Sequence, residues 1–460
     1  MQILENANKV HFISLGCPRN LVDTEVMLGL MLQAGYEVTE SAQEADYLVV
    51  NTCGFLESSR QESLDTIGML MDEKKENAKM VVTGCMVQKH KEVVKEHFPQ
   101  VDYLLGSGDV GSLLDLIHKE NRGERVTSAK SFLQSGEVPR VQSTPKHYAY
   151  LKIAEGCKKK CAFCLIPDIK GKLKSKTIDQ ITKEFNTLLK NGVQEVILIA
   201  QDLGDWGKDH EPRQTLTQLL KEILKIQGDY WLRLLYLYPD EITDDLIDII
   251  KNDSRVCRYL DMPMQHIDDS ILKAMRRKTT GGDIRNTLQK LRQEIPEIVI
   301  RTSLMVGFPG ETEEQFQLLK TFVQDHPLDN IGVFQYSAEV GTTAASMEDQ
   351  IDEDVKERRY HELMQTQLKV LNKKQQQWIG KTIPVIVEGY HPETDLLMVG
   401  RHYGQCPEID GQVVINDGRK VKAFGKRYLV EITQVADYDL IGKVVGPIPQ
   451  KRVSKPLKML

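Results

Sequence analysis

The sequence predicts a multi-domain α/β protein: an N-terminal parallel α/β sheet domain, a central partial (βα)6 barrel of the TIM type, and a small C-terminal all-β barrel of oligonucleotide-binding size. Three patterns predict it. Short apolar runs alternate with helical patterns through the first block, as they do in a parallel sheet. Six further apolar β-like runs with helical patterns between them then recur from His147 onward. From Trp378 to Pro447 the pattern changes to short alternating strands punctuated by Gly, Pro and Asp. With 460 residues, 41% of them hydrophobic and 27% charged, the chain can bury several cores and is too long for one ordinary domain.

The first block covers residues 1–135. Its strands are the runs HFISLGC, YLVVNTC and MVVTGC, separated by helical patterns over Leu21 to Ala34 and Glu57 to Lys75, and it closes on VDYLLG and a helix over Ser112 to Asn121. Residues 136–146, polar and punctuated by Pro139 and Pro145, form a linker. The second block, 147–375, carries HYAYLKIA, EVILIAQ, WLRLLYL, RYLDMPM, IVIRTSLMVGF and NIGVFQYS, and its chemistry is expected at the C-terminal ends of these strands. A long polar helix over Ile351 to Gln377 trails it. The third block, 376–447, holds TIPVIVEGY, LLMVGR, GQVVIN and RYLVEIT, and a basic tail follows over 448–460.

Cys157, Cys161 and Cys164 form a C-x3-C-x2-C triplet after the first barrel strand. Three thiolates on one loop hold three irons of a cubane 4Fe-4S cluster and leave the fourth open. This spacing is used by enzymes that bind the amino and carboxylate groups of S-adenosylmethionine at that iron. A zinc site would want a second ligand pair with C-x2-C or H-x3-H spacing, and none follows within the next few dozen residues. Cys17, Cys53 and Cys85 each follow a strand, beside Gly or Pro. Ligands gather where such strands end, so these three converge on one sheet edge, either as a second cluster set with an open iron or as buried structural thiols. Cys257 and Cys406 have no such company and read as packing residues.

Composition narrows the class. The start, MQILENANKV, lacks a basic n-region and an apolar h-region, and no apolar run approaches the ~20 residues of a membrane span. Eight cysteines, six of them in apparent ligand sets, fit a reducing compartment, the cytoplasm. A net charge of −6 argues against a protein that works chiefly by coating nucleic acid. Residues 376–447 hold eight Lys or Arg against nine Asp or Glu, without the excess of a nucleic-acid reader. The acidic pair Glu408 and Asp410 in CPEIDG is expected to face a basic protein partner instead. Lys158 to Lys160 read as a solvated loop.

The order of the blocks, the three scattered cysteines, the C-x3-C-x2-C loop and the terminal β domain resemble the radical SAM methylthiotransferases over nearly the whole chain. The resemblance implies two 4Fe-4S clusters, an N-terminal methylthiotransferase domain, a radical SAM barrel and a TRAM domain. AEGCKKKCAFCLIPDIKGKLKS, LLYLYPDEI, DMPMQHIDDSILKAMRR and GRHYGQCPEIDG are similar to the branch that thiomethylates the β-carbon of an aspartate in the twelfth protein of the small ribosomal subunit. Most other members modify tRNA adenosines. Lys176 stands where relatives commonly have Arg, keeping the charge without the bidentate fork.

On this resemblance, an electron delivered through the cluster at Cys157, Cys161 and Cys164 cleaves one S-adenosylmethionine, and the resulting 5'-deoxyadenosyl radical takes hydrogen from the unactivated carbon. The cluster at Cys17, Cys53 and Cys85 delivers sulfur, which a second S-adenosylmethionine methylates. Gln201 and Asp202 are expected near the methionine moiety. Gln265 and His266, and Gly307, Gly310 and Glu311 of SLMVGFPGET, are expected to bind the cofactor's ribose and adenosine. Expected partners are the ribosomal protein, free or in the ribosome, and a reductant such as flavodoxin or ferredoxin; tRNA is the alternative substrate. A non-catalytic iron-sulfur protein that docks on RNA is the alternative from another class, although structural metal sites normally close their coordination.

Overall fold

The computed structural model of the protein describes residues 8–119, 122–127, 133 and 139–449. The basic tail, with Lys451 to Lys458, and positions 136–138 of the expected linker lie outside the described residues.

The N-terminal block runs β1 (Lys9–Ser14), α1 (Pro18–Gln33), β2 (Glu37–Val38), β3 (Tyr47–Thr52), α2 (Glu57–Glu73), β4 (Lys79–Gly84), α3 (Cys85–His97), β5 (Tyr103–Gly106), α4 (Leu113–Lys119) and β6 (Gly123–Arg125). The strands form one parallel sheet in the order β2-β1-β3-β4-β5-β6. The chain leaves β1 in one direction for β2 and returns on its other side for β3, so the crevice of this doubly wound sheet opens at the carboxyl ends of β1 and β3. The two edge strands are additions to the sequence reading. At two and three residues they carry no apolar run to announce them.

The central block follows as β7 (Tyr148–Lys152), β8 (Ala154–Glu155), α5 (Ile166–Lys170), β9 (Lys174–Ser175), α6 (Ile178–Lys190), β10 (Glu195–Ile199), α7 (Leu216–Ile223), β11 (Trp231–Leu234), α8 (Asp244–Asn252), β12 (Val256–Asp261), α9 (Asp269–Ala274), α10 (Gly281–Glu294), β13 (Val299–Val306), α11 (Glu313–Asp325), β14 (Asn330–Gln335) and α12 (Glu353–Gln375). Six parallel strands, β7-β10-β11-β12-β13-β14, make the open barrel, and β8 pairs with β9 as a small antiparallel ribbon beside it. One device starts the crossover helices. Thr177, Thr215, Thr280 and Thr312 each accept a backbone N–H at the third helical residue, whose own Gln or Asp side chain reaches back to the cap.

The C-terminal block is a closed five-stranded barrel of β15 (Thr382–His391), β16 (Thr394–His402), β17 (Val413–Asp417), β18 (Lys426–Ala436) and β19 (Asp439–Pro447), in the order β15-β16-β17-β19-β18. Its polar lead-in helix, α12, is shorter at each end than the sequence pattern suggests.

Packing joins the three blocks. The sheet face that α6 to α11 cover is one apolar core, built on residues such as Leu151, Leu198, Leu232, Leu260 and Leu304. The opposite face, with Tyr150, Ile197, Ile199 and Tyr259, packs against Val22 and Val26 of α1 and against Cys406. Cys257 and Cys406 are buried in this second core, where packing residues belong. The acidic pair of the C-terminal block corrects an expectation. The Tyr148 hydroxyl donates to Glu408 at 2.7 Å and the Tyr259 hydroxyl to Asp410 at 2.8 Å, with Arg301 3.5 Å from Asp410. Only 1% of the Asp410 side chain is exposed. Both carboxylates therefore fasten the small barrel to the central one; Asp410 is withdrawn from any docking face, whereas Glu408 is exposed. Arg401 adds a clamp, bridging Glu388 at 2.7 Å and Glu195 at 2.8 Å.

A buried ion network holds α1 against the central block. Lys152 pairs with Asp23 and, at 3.4 Å, with Glu155, while Lys170 lies 3.1 Å from both carboxylates. All four side chains are at most 4% exposed. Removing one member of such a network leaves a buried charge short of its partner, which costs about 3–5 kcal/mol. Lys152→Met is expected to lower the denaturation midpoint accordingly, and an unmoved midpoint in a guanidinium titration would refute the network's role.

Candidate active site between two cysteine triads

Cys17, Cys53 and Cys85 follow three strands that are neighbours in the sheet, β1, β3 and β4, and stand at the crevice of its switch point. Cys17 caps α1 with Pro18 at the first helical position, and Cys85 is the first residue of α3. Small neighbours allow the approach. A Cβ on Gly16, which has φ +86°, would meet the Cys53 Cβ at 2.9 Å, and one on Gly54 would meet the Met86 Cα at 2.6 Å. The Asn20 amide donates to the Leu15 carbonyl at 2.7 Å, and the Ser63 hydroxyl donates to the Cys53 carbonyl at 3.0 Å, pinning two of the loops. Burial pushes the Cys85 thiol up to about 12, and the nearby Cys17 and Cys53 add to that push while Lys170 opposes it. Burial acts on Cys17 the same way, but the Arg19 guanidinium, the Asn20 N–H and Lys170 bring it below its ordinary value. Three thiols distant in sequence thus sense one another.

The second triad sits on the loop after β8. Backbone N–H groups of Lys159 and Ile166 donate to the sulfurs of Cys157 and Cys164, each at 3.4 Å. Arg277 Nη1 is 3.7 Å from the Cys161 sulfur and the Tyr238 hydroxyl 3.8 Å. Burial pushes Cys157 up to about 11 and Cys164 to about 12, with the neighbouring cysteines adding. Lys159 and Arg277 both lie over the Tyr238 ring, at 4.0 and 3.8 Å from its centre. A cavity of about 470 Å³ opens beside Cys161, lined by Lys160, Tyr238, Arg276, Arg277 and Lys278. Lys159 departs from the solvated-loop expectation. It reaches inward to Asp202 at 2.6 Å, with Glu241 at 3.4 Å.

Among the described residues, neither triad brings three sulfurs within 4.8 Å of one another. One tetrahedral zinc with bonds of about 2.3 Å would need them roughly 3.8 Å apart, so neither set is closed around a single zinc. Asp202, Asp205 and Glu241 do come that close together, but Lys159 and Lys208 already neutralise them.

The triads lie on the two sides of one interface. Cys85 packs with Leu165 and Ile169, which follow Cys164 directly. Beside Cys17, Arg19 crosses the interface and donates to the Ala200 carbonyl at the end of β10 at 2.9 Å. Its guanidinium lies over the Tyr236 ring, 4.6 Å from the centre. Tyr236 follows β11 with φ 63°, a left-handed conformation that costs a non-glycine residue energy and clusters at working sites. Arg19, Tyr236, Tyr238 and Arg277 were not singled out from the sequence. Tyr236, Tyr238 and Arg277 lie in stretches quoted above without a role of their own, and Arg19 meets Tyr236 only where the two domains pack.

The expected cofactor residues divide into two groups. Gln201 and Asp202 end β10 beside the second triad, and the Gln201 Oε1 atom is buried without a partner. Burial lifts the Asp202 carboxyl to about 6 against the pull of Lys159. Gln265 has φ 72° and is fixed by backbone bonds to Ser303 and Met305. Gly310 has open space where a Cβ would stand. The other three face inward. His266 Nδ1 accepts the Asp268 N–H at 3.0 Å, so Nε2 carries the proton and donates to Glu311 at 3.2 Å. Glu311 also accepts from the Gly307 N–H and from Arg359 at 2.8 Å. Both side chains are 0% exposed, and a Cβ on Gly307 would strike Lys356 at 2.3 Å. This group braces the loop from beneath instead of opening onto a cavity. Lys176 pairs with Glu184, which Arg140 also holds at 2.7 Å, so the missing fork is made up by a second cation.

No helix among the described residues is long and apolar enough to cross a membrane. Residues 9–106 match the family described as "Uncharacterized protein family UPF0004", residues 151–323 the Radical SAM superfamily and residues 379–445 the TRAM domain. The ribosomal protein uS12 methylthiotransferase RimO of Protochlamydia amoebophila is 63% identical over 95% of this chain and 93% of its own. The proteins of the same name from Chlamydia abortus and Bdellovibrio bacteriovorus are 55% and 45% identical, covering 96% and 95% of this chain and 96% and 97% of theirs. Among solved structures, the radical S-adenosylmethionine methyltransferase TsrM from Kitasatospora setae aligns with a TM-score of 0.54 at 15% identity, over 72% of this chain and 75% of that one, a likeness of fold. With two cysteine triads facing across one interface and such identity over nearly the full length, the chain belongs to the RimO family of ribosomal protein uS12 methylthiotransferases.

Proposed function

We propose that this protein is a radical SAM methylthiotransferase that adds a methylthio group to the β-carbon of an aspartate in ribosomal protein uS12. Cys157, Cys161 and Cys164 hold one 4Fe-4S cluster in this reading, and Cys17, Cys53 and Cys85 a second. The observation that carries it is the facing of the two triads across the interface that Arg19 bridges. When bound, the clusters and two molecules of S-adenosylmethionine supply the one-electron chemistry, the sulfur and the methyl group.

The chain's own residues bind, orient and shield. The donor sets fit, since each triad offers three thiols, and a cubane so held would keep one iron open. N–H groups of Lys159 and Ile166 aimed at Cys157 and Cys164, with Arg277 beside Cys161, place positive dipoles and charge on the ligating sulfurs, which tunes a cluster's potential. The unpartnered Gln201 Oε1 is an acceptor suited to an amino group such as that of the methionine moiety. His266, Glu311 and Arg359 hold the 307–311 loop, leaving the side chain of Gln265 and the backbone at Gly310 for ribose and adenine. The packing of α1 against the barrel closes one wall of the gap, while five of the six cysteines keep partial exposure. A small reductant such as flavodoxin or ferredoxin delivers the electron, and the reaction runs in the cytoplasm.

Mass spectrometry of uS12 and of tRNA nucleosides from a deletion strain tests this reading. The methylthio group should disappear from the uS12 aspartate while thiomethylated adenosines persist. The opposite pattern would assign the protein to tRNA.

A further inference from the structure

We propose that Arg19 is the residue that recognises the carboxylate of the substrate aspartate and selects it against the isosteric amide. This rests on the function proposed above, because it presumes an aspartyl side chain in the gap between the triads. The cations around that gap differ in one respect. Lys152 and Lys170 share Asp23 and Glu155, Lys159 is held by Asp202, and Lys89 pairs with Asp168 at 2.8 Å. Arg277 spends itself on the Pro263 carbonyl at 2.6 Å and on the Cys161 sulfur. Among the described residues Arg19 has no carboxylate partner. One of its five donors goes to the Ala200 carbonyl, another to the Cys17 sulfur, and its face rests on Tyr236.

Its position suits the task. The residue leaves the loop that carries Cys17 and reaches the end of β10, so a group held by its remaining N–H donors lies between the sulfur-bearing triad and the barrel strand ends. A half-buried guanidinium without a carboxylate favours an anionic partner, and its planar fork can donate two parallel bonds to a carboxylate. The Tyr236 ring beneath fixes its plane. A substrate carboxylate held there presents the adjacent methylene, the carbon to be modified, toward the gap. An asparagine offers one oxygen and turns its NH2 donors against the fork, losing the charge-assisted pair.

The test measures binding of uS12 and of its Asp→Asn counterpart, substituted at the modified position, to the reconstituted holoenzyme. The wild-type enzyme is expected to prefer the aspartyl protein by about 10- to 100-fold, the range for a hydrogen-bonded charged group. Arg19→Gln should bring that ratio close to one with iron content retained. A purely structural role for Arg19, or one confined to the potential of the neighbouring cluster, would weaken both ligands together and leave the ratio intact, which overturns the proposal. Should Arg19→Gln lose iron, Arg19→Lys decides, since it keeps the charge beside Cys17 but not the fork. Its ratio should fall several-fold, and an unchanged ratio again overturns the proposal. Absence of methylthiolated uS12 from the wild-type enzyme would instead overturn the functional reading itself, whereas product from the wild type with an unaltered ratio in the variants removes Arg19 alone.

Discussion

Protein with Cys157, Cys161 and Cys164 all replaced by Ala is expected to hold about four irons after anaerobic reconstitution, against about eight for the wild type, and to form no 5'-deoxyadenosine. The three thiols come from one eight-residue stretch, so their loss removes every protein ligand of that cluster at once. The N–H groups of Lys159 and Ile166 would remain aimed at positions without sulfur. The fold should survive. The loop packs on Met275 and Ala344 through backbone bonds from Ala162 that involve no thiol, so the far-UV circular dichroism of the variant should match that of the wild type. Iron content that is unchanged in a correctly folded triple variant would refute the assignment of this triad. Loss of all iron would instead show that the second set cannot load without the first.

Much of this was legible in the sequence, and the parts that were not share a cause. The parallel sheet of the first block followed from apolar runs with helical patterns between them, and the six barrel strands from the same alternation, because each parallel strand buried on both faces must be apolar along its length. Both triads were legible because cysteine is rare and its spacing constrained. Asp410 was misread as part of an exposed acidic face, since composition cannot tell a solvated carboxylate from one accepting the Tyr259 hydroxyl across a domain interface; Glu408 is exposed and accepts from Tyr148. His266 and Glu311 looked like ligand contacts because they border a glycine-rich turn, yet they satisfy each other and Arg359 beneath it. The pairing of Arg19 with Tyr236 was invisible for the same reason. Their roles arise from two domains meeting, and a linear sequence records no such contact.

The variant with Cys17, Cys53 and Cys85 replaced by Ala is expected to part the two halves of the reaction. It should lose about four irons, still cleave S-adenosylmethionine reductively, and give no methylthiolated uS12. The geometry makes the separation possible. The three positions hang from the ends of β1, β3 and β4, which belong to a different sheet from the strands bearing Gln201 and Gln265, and among the described residues the two sheets share no strand. Cys85 alone contacts the other side through Leu165 and Ile169, and an alanine there keeps most of the apolar contact. Deleting the thiols removes one sulfur each, so the sheet should keep its stability to within about 2 kcal/mol. Full product from this variant would make the three cysteines structural thiols, the alternative their separate positions leave open. Loss of reductive cleavage together with product would mean that the second cluster, and with it the interface bridged by Arg19, is needed to assemble the first.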